Sequence, residues 1–329
     1  MRLSSLCLLV AAAAVLTACD GDDPGSAPAP RDTITPTPAQ PTVPERPTQP
    51  APTATVEPVP EPVEFDTDAA FEFIEHLADG IGPREASSDA FHEAAADVED
   101  EFTELGYEVT QVPVPVPAGD SWGVAVPEGE SANVIADPAG FEPTEAHIII
   151  GAHLDTVPQA PGAEDNASGV AVMLELARMA AAEPPGTPVR FIAFGAEEPR
   201  GPGDDLHHFG SQQYVADMPS AEQDALVAMV SLDRVGVAAD QVPICTGGTG
   251  TTSVMDALIE AADVAGVAAQ TCENRASDHW SFEKADLPSA RLGSVPYAGY
   301  HSPDDVPSVV DTDQLDKVGQ IMWSWLAGL

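Results

Sequence analysis

From about residue 64 onward, apolar and polar positions alternate between helical and strand-like periods. Phe71, Ile74 and Leu77 recur at helical spacing, and Phe91 to Leu105 forms a second amphipathic stretch closed by Gly106. A strand candidate follows at Tyr107 to Val116. Four short apolar runs come later: His147 to Ile150 ending at Gly151, Val189 to Phe194 ending at Gly195, Leu226 to Leu232 ending at Asp233, and a more ragged run from Ala290 to Tyr300 ending at His301. The first three read as strands of a largely parallel sheet buried on both faces, with helices at Gly169 to Ala182 and Ser211 to Ala216 between them. The alternation predicts one α/β domain over 64–329. In open sheets of this kind ligands bind beyond the carboxyl ends of the strands, so chemistry is expected just after each run.

The first 63 residues follow another pattern. A charged start, an apolar run from Leu3 to Leu16 and small residues before a cleavage point describe a signal peptide over 1–18. Leu16-Thr17-Ala18-Cys19 resembles the bacterial lipobox, in which the cysteine is acylated and becomes the new N-terminus. An ordinary signal with a chance cysteine, or a retained anchor helix, is the alternative. Residues 20–63 hold 13 of the 33 prolines and almost nothing large and apolar, so 19–63 reads as a lipidated cysteine and a semi-rigid stalk; a proline-rich partner motif is the alternative. The expected location is extracytoplasmic, lipid-anchored to the bacterial cell membrane through Cys19 or secreted.

Composition sharpens this. With 54 Asp and Glu against 12 Lys and Arg the net charge is −42, and only 9 of the basic side chains lie beyond residue 63. A chain so poor in clustered cations is not built to track a phosphate backbone, so nucleic acid is excluded as a partner. At 43 % hydrophobic residues the chain can bury a sizeable core. Beyond Cys19 only Cys245 and Cys272 remain, flanking the apolar helical stretch Val254 to Ala265. In an oxidising compartment they are expected to pair, with two buried thiols as the alternative.

The residues after the runs carry the candidate chemistry. His153 and Asp155 follow the first, and Gly162-Ala163-Glu164-Asp165-Asn166-Ala167-Ser168-Gly169 then leads into a helix. Glu197 and Glu198 follow the second run, Asp233 the third, and Tyr300-His301-Ser302-Pro303-Asp304 the fourth. Imidazole and carboxylate together suit divalent zinc, manganese or iron, and no cysteine stands at these places to make a thiolate site. Each acidic residue alone is ordinary in so acidic a chain. Two histidines and a glutamate pair coinciding with four strand ends point to a metal site.

The ordered set AHLD, GAEDNASG, GAEE, SLD and YHSPDD resembles the secreted two-zinc exopeptidases of metallopeptidase family twenty-eight, whose bacterial members are mostly aminopeptidases of the leucyl type. The resemblance covers most of 68–329, with Gly82-Pro83-Arg84, Ser131-Ala132-Asn133-Val134 and Ser277-Asp278-His279 included. It implies a three-layer αβα sandwich with a mostly parallel central sheet, and two divalent metal ions, zinc being the expected species. Asp165 would bridge the metals, with His153 and Asp233 completing one site and Glu198 and His301 the other. Asp155 would hydrogen-bond the His153 imidazole, as outer partners of metal ligands commonly do. Glu197 would be the general base, and Tyr300 would donate to the oxyanion, with a plain core aromatic as its alternative. A cis peptide between Asp165 and Asn166 is implied by the family alone.

The sequence also departs from the family. Pro199 to Phe209, with Asp204, Asp205, His207 and His208, intervenes between the glutamate pair and Gly210-Ser211 and is expected to form a rim loop, with a third metal as the lesser alternative. Leu154 and Arg234 are milder changes. Asp278 and His279 would shape the pocket or form a structural turn. The activity implied is removal of N-terminal residues from peptide substrates by a monomer. Glutaminyl cyclases and carboxypeptidases on the same fold, or a non-catalytic binding lipoprotein, are the alternatives.

Overall fold

The computed structural model describes residues 63–329. The signal peptide, Cys19 and the proline-rich stalk lie outside the described residues. The early helices begin where side chains cap them: Asp66 accepts the Ala69 N–H at α1 (Thr67–Glu75), and Ser88 accepts the Phe91 N–H at α2 (Asp89–Glu104). Ile74 of α1 and Phe91, Val98 and Phe102 of α2 are buried, as their spacing predicts.

Strand β1 (Glu108–Val116) runs antiparallel to β4 (Gly129–Asp137), and between them β2 (Gly119–Ser121) and β3 (Val124–Val126) form a separate hairpin. Then come β5 (His147–His153), α3 (Gly169–Ala182), β6 (Val189–Phe194), α4 (Phe209–Asp217), α5 (Ser220–Ala225), β7 (Leu226–Leu232), β8 (Val242–Thr246), α6 (Ser253–Ala265), β9 (Ala269–Glu273), α7 (His279–Glu283), β10 (Ser289–Leu292) and α8 (Thr312–Ala327). The main sheet has eight strands in the order β1-β4-β6-β5-β7-β10-β8-β9. Its pairs β5–β6, β5–β7, β7–β10 and β8–β9 are parallel, and the other three are antiparallel.

Both faces are covered, which is why the central strands read as continuous apolar runs. Ile148 and Ile150 of β5 and Phe191 of β6 face the large core packed by α1, α2, α3, α6 and α8, whereas Ile149, Ile192 and Phe194 face a smaller core with Phe282 of α7 and Tyr214 of α4. The result is the expected three-layer αβα sandwich.

The strand ends follow the expected runs with two differences. β5 continues through Gly151 and Ala152, so His153 belongs to the strand itself. β10 spans only Ser289–Leu292, because Gly293 turns out with φ 106 where a side chain would strike the carbonyl oxygens of Asp233 and Arg234. Cys245 and Cys272 stand opposite each other in the β8–β9 pair and form a disulfide, with Cα atoms 4.4 Å apart.

Candidate metal centre

Four central strands and the turns after them bring the candidate residues together. His153 ends β5, Glu197 and Glu198 follow β6, Asp233 follows β7, and His301 lies in the loop beyond β10. Asp165 sits in the irregular turn Ala163–Ser168 that opens α3, and the Asp165–Asn166 peptide is cis, as the family resemblance implies. The turn is held from three sides. Asp305 accepts the N–H groups of Glu164 and Asp165 (2.8 and 3.2 Å), Asn166 Oδ1 accepts those of Gly169 and Arg234 (both 3.1 Å), and Asn166 Nδ2 donates to Leu232 O (2.9 Å).

His153 Nε2 lies 3.2 Å from Asp165 Oδ1 and 3.8 Å from Asp233 Oδ1. His301 Nε2 lies 3.1 Å from Asp165 Oδ2 and 3.3 Å from Glu198 Oε1. Each oxygen of Asp165 thus faces a different histidine. Two clusters result, His153–Asp165–Asp233 and Asp165–Glu198–His301, and within each the ligand-type atoms lie within 4.8 Å of one another. Glu198 Oε1 is buried without a hydrogen bond, and Asp233 Oδ1 is buried with the Arg291 guanidinium beside it but not aligned as a hydrogen bond. Buried carboxylate oxygens left unbonded are costly, and divalent cations are the partners that this donor set suits. Each cluster has a donor set that could hold a divalent metal ion, and Asp165 is common to both.

The carboxylates around the two histidines make the site strongly anionic. Burial opposes charge on both histidines, yet the carboxylates around them outweigh it: His153 is raised well above its ordinary value by Glu197, Asp155, Asp165 and Asp233, and His301 is raised to about 10 by Glu198 and Asp165. Burial also works against ionised Asp165 and Asp233, but the two histidines hold Asp165 below the carboxylate range, and Arg291 and His153 do so for Asp233. Arg291 Nη2 stands 2.9 Å from Asp233 Oδ1. Burial pushes Glu197 up to about 7, an effect that the neighbouring carboxylates reinforce and His153 opposes.

Asp155 differs in detail from its expected contact. His153 Nδ1 faces the Asp155 backbone carbonyl at 3.1 Å, while the carboxylate is 3.7 Å away and accepts the N–H groups of Glu197 (2.9 Å) and Glu198 (3.1 Å). The side chain therefore fixes the glutamate pair, and the main chain meets the imidazole. Ala196, just before the pair, has φ 55.

Tyr300 stacks on the His301 ring at 3.7 Å between centroids, and the Arg234 guanidinium lies 4.4 Å from the Tyr300 ring centre. Sequence reading passed over Trp122 at the tip of the β2–β3 hairpin; it is 55 % exposed, and its ring lies 4.4 Å from that of His301. Arg200 pins the hairpin to the rim loop, its carbonyl accepting the Asp120 N–H (3.1 Å) and its guanidinium donating to Pro127 O (2.7 Å). Trp122, Arg234, Tyr300 and His301, with Glu197, His207 and His208, line a pocket of about 110 Å³ over the two clusters.

The rim-loop expectation holds for Pro199 to Phe209, which includes the short turn Asp204–Leu206. His207 Nε2 faces the Gly201 carbonyl at 3.1 Å, and neither it nor Asp204 or Asp205 joins a metal-type cluster among the described residues. Asp278 and His279 are fully buried and do not line the pocket; His279 Nε2 contacts Asn274 O at 2.8 Å, which supports the structural turn. Arg84, known from the sequence only as part of Gly82-Pro83-Arg84, is fully buried and donates to the carbonyls of Leu77, Gly82, Leu154, Pro161 and Gly162, tying the first turn to the loop that leads to Asp165. Among the described residues no helix is long and apolar enough to cross a membrane.

Comparison with known proteins points the same way. The chain is 31 % identical over 185 residues to Aminopeptidase YwaD of Bacillus subtilis, covering 53 % of this chain and 39 % of that protein. It is 42 % identical over 80 residues to the "Probable lipoprotein aminopeptidase LpqL" of Mycobacterium tuberculosis, 24 % of this chain and 14 % of that one. The chain thus spans less than half the length of these curated relatives. The fold matches BSAP, a zinc aminopeptidase from Bacillus subtilis, with TM-score 0.72 and 19 % identity over 82 % of this chain and 96 % of that one. It also matches the Bacteroides thetaiotaomicron glutaminyl cyclase, with TM-score 0.69 and 19 % identity over 82 % of this chain and all of the other. The model for "Peptidase family M28" matches residues 133–326, from the middle of β4 into the last turn of α8 and through every residue of both clusters, and the chain belongs to that family.

Proposed function

We propose that the protein is a two-zinc aminopeptidase that removes N-terminal residues from peptides outside the cytoplasm. The observation that carries this reading is the pair of clusters joined through Asp165, with Glu198 Oε1 buried without a hydrogen bond. His153, Asp165 and Asp233 would hold one ion and Asp165, Glu198 and His301 the other. Bound there, two divalent cations would polarise the scissile carbonyl and acidify the attacking water.

The chain's own groups do the rest. Glu197, whose carboxyl sits near neutrality, takes the proton from the attacking water and returns it to the departing amine. Asp155 holds the backbone of Glu197 and Glu198 so that base and ligand keep a fixed relation. The Tyr300 hydroxyl, beside His301, donates to the oxyanion. Surrounding carboxylates favour a substrate's free α-ammonium group over an acidic or blocked end. Acylation at Cys19 with the proline-rich stalk would hold this monomeric domain off a membrane surface. The Cys245–Cys272 disulfide and the name of the LpqL relative support an extracytoplasmic site.

The test is hydrolysis of leucyl and other aminoacyl 4-nitroanilides beside their N-acetylated forms, before and after chelation. Turnover is expected only on free amines, lost to chelator and restored by zinc, and lost in Glu197→Gln with zinc still bound. No turnover on any free-amine substrate with zinc restored would overturn it.

A further inference from the structure

His208 stands in the rim loop that separates the glutamate pair from Gly210-Ser211. It is buried, and its backbone is in the left-handed region at φ 55, a conformation unusual for a residue with a side chain. Main-chain bonds lock it there: the His208 N–H donates to Glu197 O, and the Phe209 N–H to Ala196 O, both at 2.8 Å. This brings Nε2 to 3.1 Å from Glu197 Oε1, without the alignment of a hydrogen bond. Neither ring nitrogen has any other hydrogen-bond partner. Asp278, whose two buried carboxylate oxygens are likewise unbonded, favours charge on the ring, against the larger effect of burial. Buried polar groups without partners are rare in folded proteins, and here they gather beside one carboxylate.

We propose that His208 is a positioning residue for Glu197: its Nε2–H donates to Glu197 Oε1 and turns the carboxylate so that its other oxygen meets the attacking water. This rests on the reading of Glu197 as the general base. Burial keeps the ring neutral, with its pKa lowered to about 4, so it carries a single N–H. One donor occupies one carboxylate oxygen and leaves the other free to accept a proton. A second cation in that place would instead hold the carboxylate as a fixed anion. The rim loop thereby acts on the chemistry as well as on the shape of the pocket.

The test compares His208→Ala with His208→Gln in the zinc-loaded protein, because the glutamine amide keeps an N–H donor and alanine does not. The expected result for His208→Ala is a 10- to 100-fold lower kcat on leucyl 4-nitroanilide, with KM within twofold and bound zinc per chain unchanged. His208→Gln should recover at least tenfold of the loss. An unchanged kcat in His208→Ala, or equal losses in both variants, overturns the proposal. A second readout needs no turnover: long-range ¹H–¹⁵N spectra should show His208 as the Nε2–H tautomer, with its ring signals shifting in Glu197→Gln. An Nδ1–H tautomer, or signals unmoved by that substitution, also overturns it. A wild-type protein without peptidase activity would sink the aminopeptidase reading, and the spectra would still decide the contact.

Discussion

Replacing Asp155 by Asn tests what holds the glutamate pair. The Asp155 carboxylate is fully buried and accepts two main-chain N–H groups, from Glu197 at 2.9 Å and Glu198 at 3.1 Å. The asparagine amide can accept one of them through its oxygen, but its NH2 group then faces the other N–H. Losing one charge-assisted bond costs about 1.5–3 kcal/mol, and the buried donor left opposite a donor costs about 1–3 kcal/mol more. A total of about 2.5–6 kcal/mol lowers Tm by about 5–24 °C in a domain of this size. Since Glu198 is a proposed ligand, loosening its backbone should also weaken zinc binding by about 10- to 100-fold. Thermal unfolding followed by circular dichroism, beside zinc titration of the stripped protein, measures both. A Tm within about 1 °C of wild type together with unchanged zinc affinity would refute the assignment of this carboxylate to the two amides.

Three further outcomes follow from the same geometry. Arg84→Met leaves five buried carbonyls without their donor and should cost about 3–5 kcal/mol in urea unfolding, whether or not zinc is present. The Cys245→Ala, Cys272→Ala double variant opens a loop of sequence separation 27 and should lose about 3–4 kcal/mol by the loop-closure argument, with the peptidase reaction itself intact. Burial pushes the Asp278 carboxyl up to about 7, a shift that Glu197 reinforces, so the folded state holds this proton more tightly than the unfolded chain does. Stability from this group is therefore full below about pH 4 and declines as pH rises towards 7, and Asp278→Asn should raise Tm relative to wild type at pH 8 but not at pH 4.

The parts of the fold that were legible in the sequence are those whose burial leaves a local pattern. The strands at Val189–Phe194 and Leu226–Leu232 match their apolar runs because both faces are covered by helices. His147–Ile150 was legible as a strand, but its last turn towards the site was not, since Gly151 and Ala152 carry little hydrophobic signal even though a larger side chain at 151 would strike the Phe194 ring. The helix at Phe209–Asp217 starts two residues earlier than Ser211 because main-chain bonds from the rim loop begin it. β9 was not legible because it is a short edge strand with three of its five residues exposed. At the site, residue types after the strand ends pointed to a metal site, because strand ends converge by topology, and the division into two clusters was implied by the family resemblance. Their supports were hidden: the reach of Asp155 to amides 42 and 43 residues away, the five carbonyls around Arg84, and Trp122 over His301 all depend on contacts distant in sequence.

We propose that turnover needs two metals, held by clusters that share Asp165. Its most direct test is stepwise addition of zinc to the chelator-stripped protein while hydrolysis of leucyl 4-nitroanilide is followed. Activity should rise to a plateau at two zinc ions per chain. A plateau at one ion, or zinc bound at two equivalents without hydrolysis, would contradict it.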